Sequence, residues 1–244
     1  MANTWYIAKR ELFVYFGSPL AYVFIVIFVA LTGAFAFYIG AMFERGQADL
    51  QSFFIYHPWL YLILVPAIAM RLWADERKSG TIELLMTLPI EAWQAILGKF
   101  LAAWATIGIA LVLTFPMWIT VNYLGDPDNG VILASYLGRV RMAGAFLAIG
   151  SCISALTKNQ VIAFVVSAVL CFLFVMSGAE MVLNFFRAWA PEFLVDLVGG
   201  LSFLTHFEQL TKGVIDLADL VFFLSFIVFW LFANTIIVEM KKAD

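Results

Sequence analysis

Long apolar runs, separated by polar connections, dominate the pattern of the chain. Because a helix needs about 20 apolar residues to cross a hydrocarbon core of about 30 Å, runs of this length predict membrane-spanning helices. The pattern contains six such runs, which cover residues 20–41, 53–70, 100–121, 131–156, 161–183 and 217–238. The sequence therefore predicts an all-α integral membrane protein with six transmembrane helices, in which residues 1–244 form a single transmembrane domain.

A short amphipathic segment precedes the first predicted span. It mixes aromatic and aliphatic residues with the pair Lys9 and Arg10, and it ends at Gly17-Ser18-Pro19. Glycine and proline at such a position interrupt a helix. A segment of this kind is expected to lie in the membrane interface, as an elbow helix that leads into the first span.

The composition excludes an ordinary soluble domain. Hydrophobic residues make up 64% of the chain and charged residues 13%, whereas a soluble domain has about 45–50% and about 25%. A soluble core has no room for that excess of apolar side chains, so the composition agrees with a membrane domain. The formal net charge of −3 is small, and no nucleic-acid partner is expected.

The distribution of lysine and arginine predicts the orientation, because connections rich in these residues stay in the cytoplasm. With the N-terminus inside, nine of these residues fall on the cytoplasmic side and three on the opposite side. Both termini are therefore predicted to be cytoplasmic. The cytoplasmic set is Lys9, Arg10, Arg71, Arg77, Lys78, Lys99, Lys158, Lys241 and Lys242, and the opposite set is Arg45, Arg187 and Lys212.

A long connection precedes the last span, from residue 185 to about residue 216. Its apolar and polar residues alternate at helical spacing. This alternation predicts short re-entrant helices that dip back into the outer leaflet before the last span. The aromatic residues of the connection include Trp189, Phe193, Phe203 and Phe207.

The connection between the second and third spans, from residue 71 to about residue 99, carries the densest charge in the chain. Four consecutive charges at residues 75–78, followed by Ser79 and Gly80, predict an exposed break. The apolar residues beyond the break share one helical face until Pro89 ends the turn. Periodicity alone predicts an interfacial helix with a solvated, charged edge.

The same stretch, ERKSGTIELLMTLP at residues 76–89, resembles the signature of the permease subunits of type-2 ATP-binding-cassette exporters. The branch to which it is most similar contains the gliding-motility-associated permease and the permease of the nitrous-oxide-reductase maturation system. Three further passages are similar in kind, namely KREL at residues 9–12, SALTKNQ at residues 154–160 and FLTHFE at residues 203–208. The resemblance therefore covers nearly the whole chain.

The resemblance implies a bacterial inner-membrane exporter, in which a coupling helix between spans two and three sits in a cleft of a separate ATPase. It implies two copies of that ABC ATPase and a second permease of the same or a related sequence. The gliding-motility likeness adds an auxiliary protein with a large periplasmic domain as a candidate partner. The residues that match the coupling segment of the family are Glu76, Gly80, Thr81, Glu83, Leu84 and Leu85.

The chain carries no sequence motif for ATP chemistry. A phosphate-binding loop needs G-x-x-x-x-G-K-[ST], and Gly98-Lys99-Phe100 lacks the upstream glycine and the hydroxyl. Metalloprotease, nucleophile-elbow and Cys/His metal motifs are missing from the sequence as well, and His57 and His206 are expected to have structural roles. No catalytic, cofactor or metal residue is therefore expected on this chain, and ATP and magnesium are expected on the partner ATPase.

Two arginines, Arg139 and Arg141, stand inside the fourth predicted span. At 1.5 Å per residue, a 20-residue core that ends at Leu156 puts Arg141 about 6 Å below the outer boundary, as the deepest charge. Three explanations stay open, namely snorkelling to the outer headgroups, pairing with Glu180, and a substrate path. In the rival hypothesis, a stand-alone channel or secondary carrier, the path is lined by Arg139, Arg141 and Glu180.

Overall fold

The computed structural model describes residues 2–82, 90–211, 213 and 216–241. Every regular element within these ranges is a helix. The helices are α1 (Ala2–Gly17), α2 (Pro19–Ala34, prolonged by a π-helical turn at Phe35–Ile39), α3 (Gln51–Phe54), α4 (His57–Ala69), α5 (Arg71–Ser79), α6 (Ala92–Val112), α7 (Phe115–Leu124), α8 (Asn129–Leu156), α9 (Gln160–Met176), α10 (Glu180–Arg187), α11 (Glu192–Gly200), α12 (Phe203–Thr211) and α13 (Leu217–Met240).

Several helical stretches are long and apolar enough to cross a membrane. Among the described residues there are five, or six if the bent pair of α9 and α10 counts as one span. This agrees with the all-α membrane fold predicted from the apolar runs. The five stretches are Ala21–Ile39, Gln51–Ser79, Ala92–Leu124, Asn129–Leu156 and Leu217–Met240.

The fifth predicted span, residues 161–183, is not a continuous helix. α9 ends at Met176, and α10 leaves it at an angle of 75°. In the connection, a Cβ on Gly178 would stand 2.4 Å from the Ser202 hydroxyl oxygen and 2.6 Å from that of Thr205. The predicted fifth span therefore contains a bend after residue 176, where Gly178 lets the start of α12 approach closely.

The helix of the third span begins at Ala92, earlier than the predicted start at residue 100. The prediction began after Lys99 because a lysine is costly in hydrocarbon, whereas the protein holds Lys99 inside the helix by ion pairs. The span also breaks between α6 and α7. Pro116 stands in the first turn of α7, where its missing N–H costs no helical hydrogen bond.

The charged run at residues 75–78 belongs to the last part of a helix, and the exposed break follows it at Gly80. α5 continues to Ser79, and Gly80 ends it with a φ of 74°. This is a left-handed conformation that glycine adopts without strain. Residues 81 and 82 are helical again. The rest of the predicted coupling helix, residues 83–89, lies outside the described residues.

α8 is the central helix of the bundle. In its most apolar stretch 72% of the residues are buried inside the protein, against 22% for the first span and 28% for α13. Small residues allow its neighbours to come close. A Cβ on Gly150 would stand 2.4 Å from the Cβ of Ala69 on α4, and Asn234 of α13 donates to the Ser151 hydroxyl at 2.8 Å. The helices in contact with α8 include α4, α5, α6, α9, α12 and α13.

The two ends of the bundle are formed by different helices and loops. At one end, the elbow end, α1 packs on the start of α6, and a Cβ on Gly98 would stand 2.7 Å from the Ile7 side chain. The elbow end also contains α5 and the connection between α8 and α9. At the other end, the far end, the loop at residues 40–50 meets the loop at residues 125–128, where a Cβ on Gly125 would stand 2.4 Å from the Cβ of Ala48.

Replacing Gly150 by alanine is expected to destabilise the bundle, because the new methyl group would overlap Ala69. Overpacking of this kind costs about 1–3 kcal/mol, so the thermal unfolding temperature in detergent should fall. Gly108→Ala is the matched control, since nothing lies within 4 Å of a Cβ at Gly108. Equal unfolding temperatures for the two variants would contradict the close packing of α4 on α8.

Candidate functional site

Lys99 is the centre of an ion-pair cluster at the elbow end. It lies on α6, and its Nζ is 2.7 Å from the Glu76 Oε1 on α5 and 3.4 Å from the Glu11 Oε2 on α1. The lysine is only 3% exposed. One ammonium group therefore joins three helices that are distant in the sequence.

The surroundings of Lys99 complete this elbow-end cluster. The indole ring of Trp73 lies 5.4 Å from Nζ, within the range of a cation–π interaction. Arg10 Nη2 contacts Glu11 Oε1 at 2.7 Å. Two basic and two acidic side chains meet here, so the cluster has no net charge. Removing one partner would leave a buried charge without compensation, which is more costly than the assembled cluster.

The ionisation of Glu11 follows from these neighbours. Burial by itself raises the pKa of the Glu11 carboxyl, but Lys99 and Arg10 outweigh burial and hold this pKa below its ordinary value of 4.5. A carboxyl with a lower pKa in the folded state contributes stability at pH values above its unfolded pKa. The contribution of Glu11 is therefore present above about pH 4.5 and is lost as the pH falls through the folded pKa.

A second connection at the elbow end joins α5 to α8 through Ser154. The Ser154 hydroxyl oxygen accepts hydrogen bonds from the backbone N–H groups of Trp73 and Ala74, both at 3.1 Å. The same hydroxyl donates to the Met70 carbonyl at 2.9 Å. The first N–H groups of a helix have no partner within that helix. Ser154 therefore satisfies the start of α5 and fixes it on the central helix.

The end of α5 is held on the connection between α8 and α9. Arg77 donates to the Ala155 carbonyl, and the Gln160 amide donates to an Asp75 carboxylate oxygen. With Lys99 and Ser154, these contacts fix both ends of α5. The helix that leads into residues 80–89 is therefore rigidly joined to α1, α6, α8 and α9.

Only three of the six predicted coupling residues lie within the described part of the chain. Glu76 contacts Lys99, Gly80 ends α5, and Thr81 Oγ1 lies 2.9 Å from Ser79 Oγ. The described part borders an open depression of about 550 Å³ at the elbow end. Its lining consists of Asp75, Glu76, Lys78, Ser79 and Thr81. Glu83, Leu84 and Leu85 lie outside the described residues.

Lys99 and Ser154 were missed as functional residues from the sequence. A single lysine at the start of an apolar run is a signal of a paired, buried charge, but the pattern does not reveal its partners. Ser154 gives a weaker signal, because small polar residues are common in membrane helices. Both residues act through contacts between parts of the chain that are far apart in sequence.

Of the two arginines on α8, Arg139 is the buried one. It is fully enclosed, with its guanidinium carbon 3.4 Å from the ring centre of Phe54 and 4.8 Å from that of Phe207. Its Nη1 donates to the Ser135 carbonyl. Arg139 is therefore the arginine that the protein encloses, because the face of α8 that carries it is the one covered by α3 and α12.

Arg141 lies on a different face of α8 and is partly exposed. Its Nε donates to the Leu137 carbonyl at 3.1 Å, and Asp219 on α13 is the carboxylate that acts on it electrostatically. Glu180 is exposed at the start of α10. Within the described part of the chain, Glu180 forms no ion pair with either arginine. The structure thus separates the three residues predicted to pair or to line one path.

Asp219 also anchors α12 to α13. His206 Nδ1 lies 2.6 Å from Asp219 Oδ1, and Nε2 lies 3.0 Å from the Gly200 carbonyl oxygen. The imidazole stacks on Phe222 with ring centres 4.0 Å apart. Both oxygen partners accept hydrogen bonds, so both contacts are satisfied together when each ring nitrogen carries hydrogen. The contacts of His206 thus hold α12 against α13 at the far end.

A family model described as ABC-2 family transporter protein matches residues 5–238 of the chain. No curated protein matches closely enough to serve as a named relative. Among the residues that the structure describes, no group of three or more His, Cys, Asp or Glu side chains is arranged to hold a metal ion.

Replacing Lys99 by methionine is expected to destabilise the protein, because it strands Glu11 and Glu76 against an apolar side chain. A broken buried ion pair costs about 3 kcal/mol or more, so the unfolding temperature should fall, and adding Glu76→Gln should recover part of the loss. Lys158→Met is the matched control, since Lys158 is exposed at the same end. If both single variants unfold at the same temperature, the elbow-end cluster does not stabilise the fold.

Proposed function

This chain belongs to the ABC-2 family of transporter proteins, and we propose that it is the membrane permease of a bacterial ATP-driven exporter. As a member of the family it is a transmembrane permease subunit of an ABC transporter, with the ATPase on a partner chain. In the proposal it moves an unidentified substrate across the inner membrane with ATP that the partner hydrolyses. Within the family, we propose that the chain belongs to the branch that contains the gliding-motility and nitrous-oxide-maturation permeases.

The observation that carries the proposal is the attachment of α5. This helix leads directly into the segment that resembles the family's coupling helix, and it is fixed by Lys99 at one side and by Ser154 at the other. An ATPase that moves on nucleotide binding can do transport work only through a rigid element. Displacement of residues 80–89 is therefore proposed to move α1, α6 and α8 together with α5.

The proposed orientation puts the elbow end in the cytoplasm. It rests on the excess of lysine and arginine in the connections assigned to that side, since positively charged connections stay in the cytoplasm. With this orientation the open depression beside Glu76 and Thr81 faces the ATPase. The three helices α10, α11 and α12 then lie at the outer surface, where they are proposed to re-enter the membrane.

The proposed assembly contains two permeases and two ATPase subunits. ATP and magnesium are then bound by the ATPase, and a second permease, identical or related, completes the path. The lipid bilayer covers the apolar side chains that α9 exposes, which supports a membrane-facing role for this helix. They include Val161, Val165, Val169, Phe172 and Leu173. An auxiliary protein with a large periplasmic domain is a further proposed partner.

The rival function, a stand-alone channel or secondary carrier, has less support. It needs Arg139, Arg141 and Glu180 to face one continuous path. Arg139 is enclosed between aromatic rings, whereas Glu180 is exposed on α10. These residues therefore offer little support for a shared path within one chain.

Charge substitutions in the coupling segment test the proposal. We expect Glu83→Lys or Leu85→Asp to leave the permease inserted but to abolish its association with the ATPase, because either change puts an unfavourable charge into the docking surface. The measurement is the recovery of a P-loop ATPase with the tagged permease, together with the rate of ATP hydrolysis. Glu44→Lys, the same charge change at an exposed far-end residue, is the matched control.

Wild-type ATPase recovery with both coupling variants would remove the coupling role. Loss of recovery with Glu44→Lys as well would mean that charge reversal disturbs the whole protein, and the docking site would then have to be placed elsewhere. Membrane insertion is checked in every variant by the yield of folded protein.

A further inference from the structure

A group of buried polar atoms without partners surrounds Arg139. Arg139, His57, Tyr61 and Ser135 are each buried to 99% or more. Within the described residues, five of their polar atoms make no hydrogen bond, and these are Arg139 Nε and Nη2, His57 Nε2, Tyr61 Oη and Ser135 Oγ. Buried polar groups are normally satisfied, so a cluster of this size needs an explanation.

The four residues share one neighbourhood, the Arg139 site. Phe54, whose ring lies under the guanidinium, is 6.0 Å from the His57 ring, and the His57 ring is 5.8 Å from that of Tyr61. Ser135 stands one helical turn before Arg139, and its carbonyl accepts from the guanidinium. Arg139 is also close enough to act electrostatically on both His57 and Tyr61.

Aromatic rings enclose the Arg139 site and keep its charge from bulk water. The rings of Phe54 and Phe207 lie against the guanidinium, and Phe28 and Phe53 lie against His57. Cation–π contacts compensate a buried guanidinium only in part. An arginine stays charged, and none of the ion pairs found among the described residues includes Arg139. The described residues of the site therefore lack one negative charge.

The donors and acceptors of the site specify the missing group. His57 Nδ1 lies 2.9 Å from the Phe53 carbonyl oxygen, so Nδ1 carries the hydrogen, and Nε2 of the neutral ring is an acceptor. Arg139, Tyr61 and Ser135 offer donors. One positive charge, several donors and one acceptor fit an oxyanion with a single negative charge. A guanidinium binds such a group through two parallel hydrogen bonds.

A pocket of about 330 Å³ at the far end gives a route to this site. Phe54 and Ser135, which both contact Arg139, form part of its wall, so a rotation of Phe54 would open the site to the pocket. Asp49 and Asp128 also line the pocket, but each carboxylate accepts backbone N–H bonds at the start of a helix. Those bonds weaken the repulsion of an entering anion.

We propose that the Arg139 site binds a monovalent oxyanion, a carboxylate or a singly ionised phosphate group, which enters from the far end. Arg139 supplies the charge and two donors, and Tyr61 and Ser135 supply further donors. When the ligand is a singly ionised phosphate group, His57 accepts from its remaining O–H, whereas a carboxylate leaves this acceptor unused. This proposal does not depend on the coupling role of α5, and its test needs no ATPase.

The test uses the full-length protein in nanodiscs of zwitterionic lipid. Sodium chloride is replaced stepwise by sodium acetate or sodium phosphate at constant ionic strength, and thermal unfolding is followed. The unfolding temperature should rise saturably, by about 5–10 °C at a hundredfold excess over the dissociation constant. Arg139→Met should abolish the rise. Arg187→Met, at an exposed arginine of α10, should retain it.

A pair of conservative tyrosine variants keeps the test decisive if Arg139→Met folds poorly. Tyr61→Phe keeps the ring and removes the unpartnered hydroxyl, so the apparent dissociation constant should rise about tenfold, as for a lost hydrogen bond to a charged group. Tyr136→Phe is the matched control, because the Tyr136 hydroxyl already contacts the Thr114 hydroxyl at 3.0 Å. Its anion affinity should equal that of the wild type.

A further experiment identifies the source of the anion. Nanodiscs that contain phosphatidylglycerol, without soluble oxyanion, distinguish a lipid headgroup from a solute. An Arg139-dependent rise in the unfolding temperature in these nanodiscs assigns the site to the headgroup. The proposal is overturned if the unfolding temperature rises neither with soluble oxyanion nor with phosphatidylglycerol. It is also overturned if the rise survives both Arg139→Met and Tyr61→Phe.

Discussion

The ion pairs of buried Lys99 are the interaction on which the elbow end depends. A lysine in an apolar helix is costly unless it is paired, and here Glu76 and Glu11 reach it from two other helices. Because the lysine is enclosed, α1, α5 and α6 cannot separate without exposing an unpaired charge. The same constraint that stabilises the fold therefore makes these three helices move as one piece.

The central helix extends this rigid unit into the membrane. Ser154 holds the start of α5 on α8, and Gly150 lets α4 approach the same helix closely. Under the proposed function, a displacement of the coupling segment would be transmitted to the most deeply buried span. At the opposite end, α8 carries the enclosed charge of Arg139. The helix that is proposed to receive the movement therefore also carries the proposed anion site.

The apolar runs were enough to predict an all-α membrane protein, because length and hydrophobicity decide which segments can cross a bilayer. The family match confirms the prediction of an ABC-type permease. The turn after Met176 was not predictable, since it depends on the approach of Ser202 to Gly178. The enclosure of Arg139 was not predictable for the same reason: the residues that cover it, Phe54 and Phe207, come from distant parts of the chain.

Site-specific photo-crosslinking in intact cells tests the central claim that the elbow end receives the ATPase. A photoreactive residue in place of exposed Thr81 should form a crosslink to a P-loop ATPase, because Thr81 follows α5 directly and borders the open depression. The same residue in place of exposed Gln47, at the far end, should form none. A crosslinked ATPase at Gln47, or none at Thr81 in correctly inserted protein, would contradict the account.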